Sequence, residues 1–156
     1  MRQSIQLSNA SINTAKVRHL ELGGNPINGT AGKPLATSVT FTIGTESVAH
    51  KRIITGALKD GSGAVIATAR QVMLIVSDAA TGIGNTAQSP TSALESGEGV
   101  LNAALTANKV LMITTKADGT FQLGITLAAA VSLYLAVVMP DAHLEVSGAL
   151  TFTAAG

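Results

Sequence analysis

The stretch that decides the fold is residues 110–152, VLMITTKADGTFQLGITLAAAVSLYLAVVMPDAHLEVSGALTF. Phe121, Leu123, Ile125 and Leu127 alternate with Gln122, Gly124 and Thr126. Leu133, Leu135, Val137 and Met139 make a second series. Leu144, Val146, Leu150 and Phe152 make a third, with Glu145, Ser147, Ala149 and Thr151 on the opposite parity. A period of two sends alternate side chains to opposite faces of a sheet. Residues 110–115 form a fourth, continuous apolar run. Ala117-Asp118-Gly119 follows it, and an Asp-Gly pair tolerates the positive φ of a tight turn. Pro140-Asp141-Ala142 is the next turn, its proline fixing φ. The pattern predicts four strands in an antiparallel meander, half of a β-sandwich, with the rest supplied upstream.

Upstream, Ser38 to Ile43 reads as a strand with Val39, Phe41 and Ile43 inward and Ser38, Thr40 and Thr42 outward. Residues 44–47 read as a turn, 52–59 as the next strand, and Asp60-Gly61-Ser62-Gly63 as a strong turn. Residues 65–69 read as short extended chain, and Gln71 to Ser77 as a buried strand. β-Branched content and flanking turns argue against a helix over 64–75. Residues 79–99, AATGIGNTAQSPTSALESGEG, form the longest irregular stretch and are expected to project from one end of the sandwich. Residues 100–108 read as a strand or one helical turn. The expectation is seven to nine strands, at the spacing of a sandwich.

Residues 1–37 differ in composition. Asn, Ser, Thr and Gly are frequent, and Gly23-Gly24-Asn25-Pro26 and Gly32-Lys33-Pro34 punctuate a loop-like chain. Residues 16–22, KVRHLEL, have the alternation of one short strand, and Ile5 and Leu7 of another. This segment reads as an extended arm ordered by a partner surface; a flexible leader, or the first strands of the sandwich, are the other readings. The sandwich domain then covers 38–156. Candidate partner-binding residues on the arm are Lys16, Arg18, His19, Leu20, Leu22, Pro26 and Ile27.

The chain is 46% hydrophobic but 3% aromatic, so its core must be built from aliphatic side chains. Only 12% of residues are charged, about half the usual share, which suits a surface covered by copies of itself or by a partner. A net charge of +1 gives no bulk attraction to nucleic acid, and Lys51-Arg52 and Lys16/Arg18 lack interleaved aromatics. The absence of cysteine excludes disulfides, thiolate metal sites and cysteine nucleophiles. Residues 123–139 carry no charge, but the run is short for a membrane helix, lacks basic flanks and alternates as strands. No membrane partner is expected.

The chemistry-bearing residues form no constellation. His19, His50 and His143 have no ligand-spaced companions, so no metal is expected. Each Asp-Gly loop offers one carboxylate where calcium needs six to eight oxygens. Asp78, Glu95 and Glu98 flank a Gly/Ser loop, which is a poor platform for paired acids. Gly82-Ile83-Gly84 lacks the lysine and the strand-to-helix setting of a phosphate loop. No catalytic residue and no cofactor follow from the sequence.

The run Thr114-Thr115-Lys116-Ala117-Asp118-Gly119-Thr120-Phe121-Gln122-Leu123 resembles the T-T-D-x-x-G-x-x-x-[LV] hairpin of bacterial immunoglobulin-like domains, with Lys116 where an acid is common. Residues 134–137 and 146–152 resemble the last strands of such domains, and 54–60 with 71–77 resemble their opening pair. With Ser77-Asp78-Ala79-Ala80-Thr81-Gly82 and the Val-Ser-x-Ala-Leu-Thr-Phe ending, the chain is similar over about residues 48–153 to head decoration (cement) proteins of tailed bacteriophages. The resemblance implies an immunoglobulin-like sandwich without enzymatic activity. It implies a homo-oligomer, with a trimer favoured, on the outside of the virion head. There it would bind the major capsid protein and stabilise the shell. Residues 1–37 would be the capsid-facing arm and 79–99 a second contact or exposed tip. A tail or fibre immunoglobulin-like module, as a tail-tube or connector subunit or a host-surface binding domain, is the alternative. Scarce aromatics count against glycan stacking.

Overall fold

The structure, a computed structural model, describes residues 35–154 and the backbone of residues 21–22 and 25–26. The chain divides into two units, Met1–Gly32 and Lys33–Gly156. In the first, β1 (Glu21–Leu22) pairs antiparallel with β2 (Asn25–Pro26), so Asn25 and Pro26, read from sequence as loop, take strand positions.

The second unit is all-β. Its strands are β3 (Ser38–Ile43), β4 (Lys51–Lys59), β5 (Gln71–Ser77), β6 (Thr91–Leu94), β7 (Val100–Thr106), β8 (Val110–Thr114), β9 (Thr120–Thr126), β10 (Ser132–Val138), β11 (Leu144–Val146) and β12 (Leu150–Thr151). They form two antiparallel sheets. One runs β3-β4-β9-β6; the other runs β11-β10-β5-β8-β7, with β12 also on β10. The strands β3 and β5 have the bounds read from sequence. Ten strands exceed the expected seven to nine because β6 arises inside the presumed loop and the last apolar series splits into two strands.

The alternating series explain the core. Ile54 and Leu58 of β4 and Phe121, Leu123 and Ile125 of β9 face Leu74 and Val76 of β5, Leu111 and Ile113 of β8, and Leu133, Leu135 and Val137 of β10 in one buried cluster. Each such aliphatic side chain contributes about 1.5–3 kcal/mol of burial relative to exposure. Ala36 is buried with them, and the Thr37 N–H donates to the Lys59 carbonyl at 2.8 Å, so the sandwich takes in chain just before β3.

Four expectations need correction. The meander is not formed, because β8 lies in one sheet, β9 in the other and β10 back in the first. Residues 115–119 are a crossing between sheets. The Thr115 N–H donates to the Arg70 carbonyl at 2.8 Å on one side, and the Leu58 N–H to the Gly119 carbonyl at 3.1 Å on the other. Gly119 has φ 74° and lies so close to Ile66 that a Cβ would sit 2.0 Å from its carbonyl oxygen, which is why only glycine fits there.

The third apolar series does not keep to one face. Val146 pairs with Ala136, but Leu150 pairs with Leu133, so one extra residue enters between them. A one-residue shift flips every later side chain. Leu144 and Val146 therefore face outward, half-buried, while Leu150 and Phe152 enter the core. Buried Ser147 holds the break: its hydroxyl accepts from the Leu135 N–H at 2.9 Å and donates to the Gly148 carbonyl at 2.8 Å.

The turn expected at 44–47 falls later, because the Gly44 and Ser47 N–H groups still bond the carbonyls of Ile53 and Lys51. The reversal is at 48–50, with His50 at φ 53°. Finally, residues 79–99 do not simply project. Thr86 is buried, and its N–H donates to the Val76 carbonyl at 2.7 Å. Gly82 packs so closely on Ala136 and Val146 that a Cβ would lie 2.7 Å from the first. Then β6 joins β9 as a sheet edge.

Candidate binding surface

The two sheets turn unlike faces outward. Antiparallel sheets commonly bury one face and solvate the other, which should then be polar. The four-stranded sheet follows this rule apart from Ile53 of β4, which is exposed. Its outward residues include Thr40 and Thr42 of β3, Lys51 and Thr55 of β4, and Gln122 and Thr126 of β9. Across that face Lys51 Nζ pairs with Glu95 Oε1 at 2.7 Å, over Gly124, where a Cβ would lie 2.1 Å from the same oxygen.

The six-stranded sheet does not obey it. Between its core residues, β5 presents Met73 and Ile75, β8 presents Val110 and Met112, β10 presents Tyr134 and Val138, and β11 presents Leu144 and Val146. All are partly exposed. The register lines them up: Leu144 beside Val138, Val138 beside Met73, and Met73 beside Met112. No charged residue interrupts these rows. At Gly82 the 79–82 chain packs on the Ala136–Val146 corner.

Beside this face lies β7, whose seven residues are all exposed. Val100 is 61% exposed, Leu101 51% and Leu105 59%. β7 pairs with β8 alone, so among the described residues its outer edge is unpaired, and bulges at Asn102 and Leu105 interrupt the ladder. Unpaired, apolar edges are what soluble proteins ordinarily blunt or cover. A separate apolar hollow of about 360 Å³ is lined by Leu35, Ala36, Thr37, Pro140 and Asp141.

The titratable groups do structural work. At the β10–β11 turn, where Ala142 has φ 67°, His143 bonds Asp141 through Nδ1 at 2.5 Å and Glu145 through Nε2 at 3.2 Å. Asp141, then Glu145, raise the imidazole pKa above its ordinary value, and His143 in turn holds the Asp141 carboxyl low. Glu46 receives the Thr153 N–H at 3.1 Å and its hydroxyl at 3.2 Å, which holds that carboxyl low and fastens the chain after β12. Arg52 donates to the Thr151 carbonyl at 2.6 Å and to the Gly44 carbonyl at 2.8 Å. Asp78 accepts from the Thr86 hydroxyl and from the Ala87 N–H, and is lowered in that order of cause. Lys116 lies 3.3 Å from Glu98 and 3.6 Å from Asp118, and Glu98 is the main reason its pKa is raised. In each cluster the polar atoms bond one another.

Among the described residues, no group of three His, Asp or Glu side chains is placed to hold a metal ion. No helix there is long and apolar enough to cross a membrane; residues 123–139, the charge-free run, hold most of β9 and all of β10.

Of the sequence candidates, Lys16, Arg18, His19, Leu20 and Ile27 lie outside the described residues. Leu22 and Pro26 fall in the β1–β2 pair, where the backbone places Leu22 opposite Asn25 and Pro26 opposite Glu21. Sequence reading missed the apolar outer face. The signal was available in the minor parity of the strands, Met73 and Ile75 between core residues and Val110 and Met112 likewise. No protein family, curated protein or solved structure matches the chain.

Proposed function

We propose that this protein is a non-enzymatic association module, and specifically a decoration protein that binds the outer surface of a phage head and stabilises the assembled shell. The observation that carries the association reading is the charge-free apolar outer face of the six-stranded sheet, set against the polar face of the other sheet. A face of that kind gains free energy only when another protein covers it, at about 25 cal/mol per Å² of apolar surface removed from water.

The strand order supports an immunoglobulin-like reading. In an immunoglobulin domain, A-B-E-D packs on G-F-C. Assigning β3, β4, β5, β6, β9, β10 and β11 to strands A to G in chain order gives β3-β4-β9-β6 and β11-β10-β5. The β7–β8 hairpin is then an insertion between D and E, laid against C. Together with the Thr114–Leu123 resemblance and the sparse charge, this favours a virion surface protein whose partner is the major capsid protein.

A lattice of identical sites adds weak contacts per copy into durable binding. In this reading the arm residues Lys16, Arg18, His19, Leu20, Leu22, Pro26 and Ile27 reach the capsid and the apolar face settles on it. Co-sedimentation with undecorated shells tests the reading, comparing the full chain with Met112→Lys and with a chain lacking residues 1–32. The expected result is saturable binding by the full chain and weakened binding by both variants. Equal binding by all three sinks the assignment of these surfaces.

A further inference from the structure

We propose that Met73 and Met112 form a paired, reversible oxidation site on the outer face of the six-stranded sheet, at which a peroxide turns that face from apolar to polar. The site rests on the geometry of the sheet; its consequence for shell binding rests on the reading of the chain as a decoration protein. The chain has four methionines, no cysteine and no tryptophan. A peroxide therefore meets no thiol, and thioether sulfur is the most nucleophilic target it finds. Among the described residues the methionines are Met73, Met112 and Met139. Met139 is 2% exposed and belongs to the core cluster. Met73 and Met112 take outward positions on β5 and β8 and are partly exposed. Oxidation follows access to the sulfur, so the fold offers two of the three and withholds the third.

The two are also neighbours. They are direct partners across the β5–β8 ladder, where the Cβ atoms of opposed residues lie about 4.5–5.5 Å apart. Met73 is opposite Val138 on its other side, Val138 is opposite Leu144, and Met112 is opposite Ala103. Both thioethers thus stand side by side in an otherwise aliphatic row. The next row on the same two strands sets Ile75 opposite Val110, the β-branched residues that a pleated surface favours. Methionine is unbranched and adaptable, and apolarity alone does not call for it at these two positions.

The step is an oxygen transfer. A sulfur lone pair attacks the terminal oxygen of a hydroperoxide, an S–O bond forms and the O–O bond breaks. The leaving oxygen takes the proton and departs as water or an alcohol. Sulfur loses two electrons and the peroxide gains them. The product is a polar sulfoxide whose oxygen accepts hydrogen bonds. No other side chain in the row carries a donor, so water must satisfy both oxygens, and a partner seated on the face would strand them. Methionine sulfoxide reductases reverse the change with a dithiol, which becomes a disulfide as the oxygen leaves in water.

The test exposes the folded full chain to hydrogen peroxide and follows each methionine by peptide mass spectrometry, in buffer and in urea. In buffer Met73 and Met112 should oxidise at least about tenfold faster than Met139, and in urea all three at one rate. The oxidised chain, still folded by far-UV circular dichroism, should elute earlier in hydrophobic-interaction chromatography. Methionine sulfoxide reductases with dithiothreitol should restore its retention. Met73→Leu/Met112→Leu, which conserves volume and keeps Met1 and Met139, should not shift on peroxide treatment. Met139 reacting as fast as the pair in buffer, an unshifted wild type, an equal shift in the double variant, or a shift that the reductases leave in place overturns the proposal. Should the double variant fail to fold, the mass data and the reductase arm decide on the wild-type chain. Co-sedimentation with shells separates the two claims, since oxidation should weaken binding at least about tenfold. Equal binding before and after oxidation refutes the switch, whereas an unoxidised chain that binds no shells refutes the decoration reading alone.

Discussion

Gly56 is the most exacting position in the core, and Gly56→Ala is the sharpest test of the packing. Gly56 lies opposite Phe121 across the β4–β9 ladder, and the fully buried ring fills the space a side chain would take. A Cβ built on Gly56 lies 2.3 Å from two ring carbons and 3.0 Å from a third. In a strand without this crowding, alanine for glycine gains about 0.5–1 kcal/mol from reduced backbone entropy in the unfolded chain. Here the ring has no free volume to enter, and overpacking costs about 1–3 kcal/mol. The net expectation is a loss of about 1–2 kcal/mol, or a fall in Tm of about 4–8 °C for a domain of this size. Phe121→Leu alone should also destabilise, through the space it vacates. Combined with Gly56→Ala it should cost at least about 1 kcal/mol less than the sum, because the methyl enters that space. Thermal and urea melts of the four proteins measure the cycle. An unchanged or raised Tm in Gly56→Ala, or strict additivity, refutes the reasoning.

Three further outcomes follow from the same contacts. Gly119→Ala meets both a positive φ and the Ile66 carbonyl, and should destabilise more than Gly56→Ala in the same melts; a smaller loss contradicts the crossing geometry. His143, followed by NMR, should titrate above its ordinary pKa, falling most with Asp141→Asn and less with Glu145→Gln. Because its folded pKa is raised, its contribution to stability is present at acid pH below the unfolded value and is lost as pH rises through the folded value. The lowered Asp141 and Glu46 act in the opposite sense, contributing above their unfolded values and losing that contribution as pH falls through the folded ones. Glu46→Gln should therefore speed exchange of the Thr153 amide at neutral pH, and unchanged exchange there would argue against the clasp on the C-terminal strand.

Strand identity was readable wherever one face is buried and the other is not. Ser38–Ile43 and Gln71–Ser77 are bounded by turn residues and keep strict alternation, so sequence and structure agree on both ends. Sheet membership was not readable. A turn such as Asp118-Gly119 reverses the chain equally well within a sheet or between sheets, and the groups that decide it, the Arg70 carbonyl and the Leu58 N–H, are distant in sequence. The outward flip of Leu144 and Val146 was hidden for a related reason. They share parity with Leu150 and Phe152, and only the extra residue near Gly148 separates the faces. Thr91–Leu94 escaped because four residues with one large apolar side chain give no period. The apolar outer face was half legible: scarce charge pointed to a surface short of polar groups, but which face is apolar depends on the register of β5, β8 and β10.

The most direct test of the central claim is co-sedimentation of the purified full chain with emptied, undecorated phage capsid shells. Decoration predicts saturable binding at a fixed number of copies per capsomer, with shells that then withstand heating better than bare ones. Absence of binding, with the free protein forming rings or acting on host-cell surfaces instead, would contradict it and identify a tail component or a host-binding module.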